Sequence, residues 1–309
     1  MNHELIIKNM KKIIITIALI CATGSYLSAQ SVHEFSGYVG GGLSTLRYQL
    51  SSGDRSGGFG GDFGVGYTYL MIRDGAVETG TVTHQSWGIH VGLGLGLYNA
   101  KAKLNNAKEE IVTANLRDPD GDRFNLFTTL SGYEETQTAM FLNIPVMAQF
   151  NINSIYVMGG IKTGIPLNGK YKSNVVNLSN KAQYTGLGNV TATAPEFVGF
   201  GEFKDQKYDG DIDLGVNVAL ALEAGMNWSI GDNLLLYGGI YFDYGLNNIS
   251  KDEKLKFIDY SAGTSSKPES SFIANSVLSS YANDRTSIAF TDKVNTMAVG
   301  IKLRLAFRR

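Results

Sequence analysis

A set of ionisable residues occupies equivalent positions in segments where apolar and small residues alternate. Its members are Asp62, His90, Lys162, Glu223, Asp243, Lys302 and Arg304. Three acids and three permanently charged bases could form salt bridges, line a path for ions, or supply a general acid and base. An unpaired charge in an interior of low dielectric is costly, so we expect pairing, with Lys162 and Glu223 as the best cross-strand pair.

The composition excludes several classes of site. The chain has 309 residues, and 27 Lys+Arg against 28 Asp+Glu give a net charge of -1, so no basic face for nucleic acid is expected. One cysteine and four histidines argue against a disulfide scaffold, a CxxC site or a multi-histidine metal centre. We therefore expect no cofactor. The 37 glycines, 16 tyrosines and 15 phenylalanines are untypical of a helical domain.

Residues 1–29 have the features of a secretory signal peptide. Three lysines precede an apolar stretch from Ile13 to Ala22, and small residues lead to Ala29, after which we expect cleavage. The apolar stretch is too short to cross a bilayer as a helix, which needs roughly 20 residues. The sequence thus predicts an exported protein whose remaining domain covers residues 30–309.

Strict alternation of apolar with small or polar residues dominates that domain. It is clearest over 213–230, where Leu220 and Leu222 alternate with Ala219, Ala221 and Glu223. This period of two indicates strands with two different faces. Eight such strands are predicted, at about 35–48, 59–71, 85–98, 137–150, 155–167, 213–230, 234–246 and 294–307.

The lengths of the strands and of their connections predict a membrane barrel. The segments are longer than the 5 or 6 residues usual in soluble proteins, and a tilted strand needs roughly 9 to 11 residues to cross a bilayer. Long connections at 99–136, 168–212 and 247–293 lie on one side, and tight turns lie on the other. We therefore expect an all-β, eight-stranded antiparallel up-and-down transmembrane β-barrel with long extracellular loops, in the outer membrane of a Gram-negative bacterium.

The composition of the two strand faces distinguishes a membrane barrel from a soluble, lipocalin-like barrel of eight strands. Gly88, Gly92, Gly94 and Gly96 share one face of the third strand, and small residues suit the cramped interior of an eight-stranded barrel. The opposite face is apolar and is expected to contact lipid. Aromatic residues near the strand ends with short turns should mark the membrane interface: Trp87, Trp228, Phe150 and Phe307.

Three stretches of the chain carry a family resemblance. They are Tyr-Val-Gly-Gly-Gly at 38–42, Phe-Leu-Asn-Ile-Pro-Val at 141–146, and the closing Ala-Val-Gly-Ile-Lys-Leu-Arg-Leu-Ala-Phe at 298–307. The chain resembles the PorT-like outer-membrane barrels of Bacteroidetes-type bacteria and is similar in plan to the barrel domain of OmpA-type porins. The PorT resemblance implies an accessory role in an outer-membrane protein-secretion complex.

Catalysis is not expected. His84 and Ser86 fall beside a periplasmic turn, whereas a lipid A deacylase would need such residues at the outer rim. An omptin-type protease would need Asp and His together at the outer mouth, but His90 lies near the other end of its strand.

We expect a structural or surface-interaction role, with the lumen plugged by charged pairs. The alternative is a narrow channel or transporter for ions or small solutes. Expected partners are outer-membrane lipid and lipopolysaccharide, and an external ligand or protein bound through the loops 99–136, 168–212 and 247–293.

Overall fold

The computed structural model describes residues 31–74, 84–104, 110–186, 188–251, 254–264, 267 and 269–309. The predicted signal peptide lies outside these residues. The strands in chain order are β1 (Ser31–Arg47), β2 (Asp54–Gly57), β3 (Phe59–Asp74), β4 (His84–Leu104), β5 (Ile111–Arg117), β6 (Arg123–Ile152), β7 (Ile155–Tyr184), β8 (Val190–Ala192), β9 (Gly201–Asp211), β10 (Asn217–Ser229), β11 (Leu234–Gly245), β12 (Leu255–Lys256), β13 (Ile258–Ser261), β14 (Ser271–Ala274), β15 (Ser280–Asn283), β16 (Ile288–Ala289) and β17 (Asn295–Arg308). The described residues contain no helix that could span a bilayer.

Eight of these strands pair into a closed ring. The order is β1, β3, β4, β6, β7, β10, β11 and β17, and every neighbouring pair is antiparallel. The ring closes because β1 also pairs with β17, so that Gly40 lies opposite Asp62 on one side and Lys302 on the other. The predicted eight-stranded antiparallel up-and-down barrel is confirmed.

The two faces of each strand are as different as the alternation predicts. On β10, Leu220 and Leu222 are exposed on the outer surface, whereas Ala219, Ala221 and Glu223 are buried in the lumen. Successive side chains of a strand point to opposite faces, so one apolar residue in two suffices to cover the whole outer surface. The barrel therefore exposes apolar side chains to lipid and encloses small and charged ones.

Two barrel strands are much longer than the sequence predicts. β6 and β7 have 30 residues each, so the predicted loops 99–136 and 168–212 consist largely of strand. The predicted strand over 213–230 begins only at Asn217. At about 3.3 Å per residue, the part of β6 before Ala139 is roughly 50 Å long when measured along the strand, and it lies beyond the region that spans the membrane.

A β-bulge explains why the alternation in the sequence does not predict the full length of β7. Met140 pairs with Asn168 and Phe141 with Pro166, so Leu167 is an extra residue on β7. The bulge moves the buried positions from even to odd numbers, as an inserted residue must when side chains alternate. The alternation breaks there, and the break resembles the end of a strand.

The long connection after β11 folds back onto these extended strands. Phe257, Val277 and Leu278 are buried in one hydrophobic cluster with Tyr133 and Val175 of β6 and β7. β15 joins the sheet by pairing with β5 in parallel. The described residues of the predicted loop 247–293 thus form a packed cap rather than a free loop.

The outward orientation of the apolar face predicts a large effect at the barrel midline. Ile301 is exposed there, and Ile301→Arg should destabilise the barrel by about 2–4 kcal/mol, because arginine at the bilayer midplane loses its hydration. Denaturant unfolding from phospholipid vesicles measures this difference. Val176→Arg, at an exposed apolar position of the extended part, is the matched control and should change stability little. Equal effects of both changes would contradict the assignment of faces.

Candidate functional site

The charges in the lumen form a chain of ion pairs across the barrel. Lys162 Nζ lies 2.5 Å from Asp243 Oδ2 and 3.4 Å from Asp62 Oδ2. Lys302 Nζ lies 3.4 Å from the same Asp62 oxygen and 3.3 Å from Glu223 Oε2. Two ammonium groups therefore hold three carboxylates, and Asp62 bridges the two lysines. All five residues are at least nine-tenths buried.

The predicted pair of Lys162 and Glu223 is wrong. The register places Lys162 opposite Ala219 and Glu223 opposite Met158, four residues apart along β7. Four residues of strand correspond to roughly 13 Å, and each group has other partners: Lys162 pairs with Asp243 and Asp62, and Glu223 pairs with Lys302. Lys162 instead reaches across the lumen to carboxylates on β3 and β11.

A glycine leaves the space that this network needs. Gly40 on β1 lies between Asp62 and Lys302 in the strand register. A Cβ atom at position 40 would lie 2.5 Å from Asp62 Oδ1 and 3.2 Å from the Tyr241 ring. The small residues of the inner face are therefore part of the charge network, because they let long side chains meet in a narrow lumen.

Arg304 is held by aromatic rings instead of a carboxylate. Its guanidinium carbon lies 4.2 Å from the ring centroid of Tyr237 and 5.5 Å from that of Tyr156. The hydroxyl of Tyr237 donates to Glu34, and that of Tyr156 donates to Glu223 at 2.8 Å. The negative faces of the two rings stabilise the cation, while the hydroxyls of the same rings donate to Glu34 and Glu223.

His90 continues the polar network along β4. Its Nδ1 atom lies 2.8 Å from Thr68 Oγ1 and 3.4 Å from Arg304 Nη1. Arg304 also donates to Gln149 Oε1 at 3.1 Å. All seven residues predicted to face the lumen are buried there. Among the described residues, no three His, Cys, Asp or Glu side chains are grouped as around a metal ion.

The sequence interpretation missed the tyrosines of this site. Lys302 Nζ lies 5.0 Å from the ring centroid of Tyr38 and 4.8 Å from that of Tyr241. Both tyrosines occupy inward positions of their strands, as do Tyr156 and Tyr237. The same alternation that predicts which charged residues face the lumen also places these tyrosines on the inner face, so they could have been predicted from the sequence.

The sequence of the barrel matches a known family. The family model described as "Outer membrane protein beta-barrel domain" matches residues 34–251, more than half of the chain. The chain belongs to this outer membrane beta-barrel family. It is therefore an integral outer-membrane protein, and the side with short turns is periplasmic in this family of barrels.

Solved structures are similar to the chain at low sequence identity. The attachment invasion locus protein Ail of Yersinia pestis, in complex with the heparin analogue sucrose octasulfate, is 10% identical with a TM-score of 0.30, covering 90% of this chain and 99% of that chain. A major outer membrane protein from Thermus thermophilus is 12% identical with a TM-score of 0.28, covering 90% and 99%. No curated protein sequence matches the chain.

The four predicted interface aromatics lie at the periplasmic end of the barrel. Trp87 pairs with Phe150 in the strand register, close to the turn between β6 and β7. Phe307 of β17 and Trp228 of β10 flank the start of β11, because Phe307 pairs with Leu234 and Trp228 with Leu236. All four side chains are exposed on the outer surface.

A second polar site lies in the extracellular half. Glu135 on β6 is 1% exposed and accepts hydrogen bonds from Tyr133, Gln137 and Ser276 and from the Val277 backbone N–H. These bonds join the cap to the extended barrel wall. Burial raises the pKa of Glu135, although the hydrogen bonds from Ser276, Tyr133 and Gln137 act in the opposite direction.

Removing the central cation of the lumen should destabilise the barrel strongly. Lys162→Met would leave Asp62 and Asp243 buried without their shared ammonium group, which should reduce the free energy of unfolding by about 3–5 kcal/mol. Denaturant unfolding in lipid vesicles measures the change. Lys204→Met, at an exposed position of β9, should have an effect below about 0.5 kcal/mol. A similarly small effect at position 162 would contradict the ion-pair network.

The raised pKa of Glu135 predicts that acid strengthens the attachment of the cap. The folded carboxyl takes up a proton at a higher pH than the unfolded one, so the cost of burying its charge disappears as pH falls through the folded pKa. Amide exchange around Val277, corrected for the intrinsic rate, should show greater stability at mildly acidic pH. Glu135→Gln should remove this part of the pH dependence, whereas Glu134→Gln, at the exposed neighbour, should retain it. The same slope in both variants would refute the assignment.

Proposed function

We propose that the protein is a closed, non-conducting barrel that anchors a folded β-structure on the cell surface for contact with a partner. The observation that carries the first part is the filling of the lumen. The free volume between the lumen charges is about 10 Å³, around the minimum for one water molecule. The hydrophobic cluster of the cap also extends down to Tyr98, Phe141 and Tyr241 in the upper barrel, so packing continues above the charges.

Exposed apolar residues beyond the membrane support the second part of the proposal. Phe197 and Ile273 are about half exposed in the extracellular part, where water rather than lipid would surround them. They belong to adjoining segments, because the Ser270 N–H donates to the Phe197 carbonyl oxygen and Ile273 follows on β14. We take these exposed side chains as the candidate protein-interaction surface. The proposed role involves no catalytic step.

Planar bilayers test closure directly. The purified, refolded protein should show no opening events under conditions in which a general porin conducts, because the ion pairs and the cap fill the lumen. Single-channel recording measures this. Steady conductance of the wild type that is lost in Lys162→Ala or Glu223→Ala would instead favour the narrow channel or transporter.

Binding to whole cells tests the surface role. The deletion strain complemented with the wild-type gene should bind the partner surface more strongly than the deletion strain itself. Complementation with the double variant Phe197→Ser/Ile273→Ser should restore much less binding. Lys204→Ser is a control at another exposed extracellular position. Equal binding by the deletion and complemented strains would contradict the surface role.

A second candidate function rests on the PorT resemblance at residues 141–146. It is an accessory role in a protein-secretion complex, and co-purification with large partners together with a secretion defect in the deletion strain tests it. The proposal also includes export by a signal peptide cleaved after Ala29, which N-terminal sequencing of the mature protein tests.

A further inference from the structure

On the three neighbouring strands β4, β6 and β7, the apolar part of the outer face ends at the same level. Leu97 of β4 pairs with Met140 of β6, and these are the last apolar outward residues before the extracellular extension. Two residues further out, Asn99 pairs with Thr138, and Thr138 pairs with Lys170 of β7. This polar row therefore marks the outer boundary of the hydrocarbon on this side of the barrel.

Lysines are concentrated immediately above that boundary. Lys101 and Lys172 pair with Thr136 from its two sides, and Lys170 lies one row below. All three lysines are exposed on the outer surface. With strands about 4.8 Å apart, the backbones that carry Lys101 and Lys172 are roughly 10 Å apart. We call Lys101, Lys170 and Lys172 the lysine cluster.

The lysine cluster is not used for ion pairs within the described residues. None of its members lies within 4.0 Å of a carboxylate there, whereas the next outward lysine, Lys103, is 2.5 Å from Glu134. Asp211 and Asp209 on β9 pair in register with Lys170 and Lys172. A third acid, Glu134, lies one row further out and is paired with Lys103. In its own row Lys101 is flanked by Ser56 and Thr136 and by no acid, so the unpaired positive charge is on the side toward β4.

We propose that the lysine cluster binds the phosphate groups of anionic glycolipid in the outer leaflet. Lipid headgroups lie directly above the hydrocarbon, which is the level of the cluster. The hydroxyl of Thr136, between Lys101 and Lys172, supplies a hydrogen-bond donor to the same phosphate. Each lysine near an anionic surface contributes on the order of fivefold in binding. This inference does not depend on whether the lumen conducts or whether a protein partner binds the cap.

Lipid retention by the full-length protein tests the proposal. The protein is placed in phosphatidylcholine nanodiscs containing a small fraction of lipid A, in its bisphosphorylated or its dephosphorylated form, and bound lipid is measured by native mass spectrometry. The wild type should retain the bisphosphorylated form selectively. The variant Lys101→Gln/Lys170→Gln/Lys172→Gln should bind it about a hundredfold more weakly. The control Lys204→Gln/Lys207→Gln, which removes two exposed lysines of β9, should bind it as the wild type does.

Several outcomes would overturn the proposal. They are equal retention of the two lipid A forms, unchanged retention by the triple variant, or an equal loss in the control variant. Displacement of bound lipid A by millimolar inorganic phosphate would assign the cluster to a free anion instead. If the triple variant does not fold, Lys101→Gln and Lys172→Gln alone should each weaken retention about fivefold.

Discussion

Closing eight strands into a ring leaves a lumen only wide enough for side chains, so each inward charge must be neutralised inside it. This constraint explains why Asp62 bridges Lys162 and Lys302. It also explains why residue 40, which lies between Asp62 and Lys302 in the strand register, is a glycine. It also explains why Arg304, which has no carboxylate of its own, lies between tyrosine rings whose hydroxyls bind carboxylates. The apolar outer face follows from the same alternation.

The barrel and the extracellular cap form one continuous structure. β6 and β7 pass from the membrane into the extension without interruption, and the cap packs between them and the upper lumen. The buried carboxylate of Glu135 holds the cap by bonds to Ser276 and Val277. A closed lumen and a presented outer surface are therefore consequences of the same packing, with the lysine cluster at the boundary between membrane and extension.

Much of this architecture could be predicted from the sequence, because a strict period of two identifies both the strands and the side chains that face the lumen. The partners of those side chains could not be predicted. Lys162 meets Asp62 and Asp243 across the lumen, and such contacts depend on the stagger of the strands, which local alternation does not encode. The length of β7 could not be predicted either, because the bulge at Leu167 reverses the alternation while the strand continues.

The central claim is that side chains fill the lumen and leave no continuous path for water. Ala221 is buried beside the ion pairs, and the chain has a single native cysteine, Cys21, so a thiol at position 221 can be followed by its reaction with a small water-soluble methanethiosulfonate. The account predicts that Ala221→Cys in the folded barrel remains unmodified until denaturant is added, while Lys204→Cys on the extracellular surface reacts at once. Comparable rates at the two positions would show that water fills the lumen and would contradict the account.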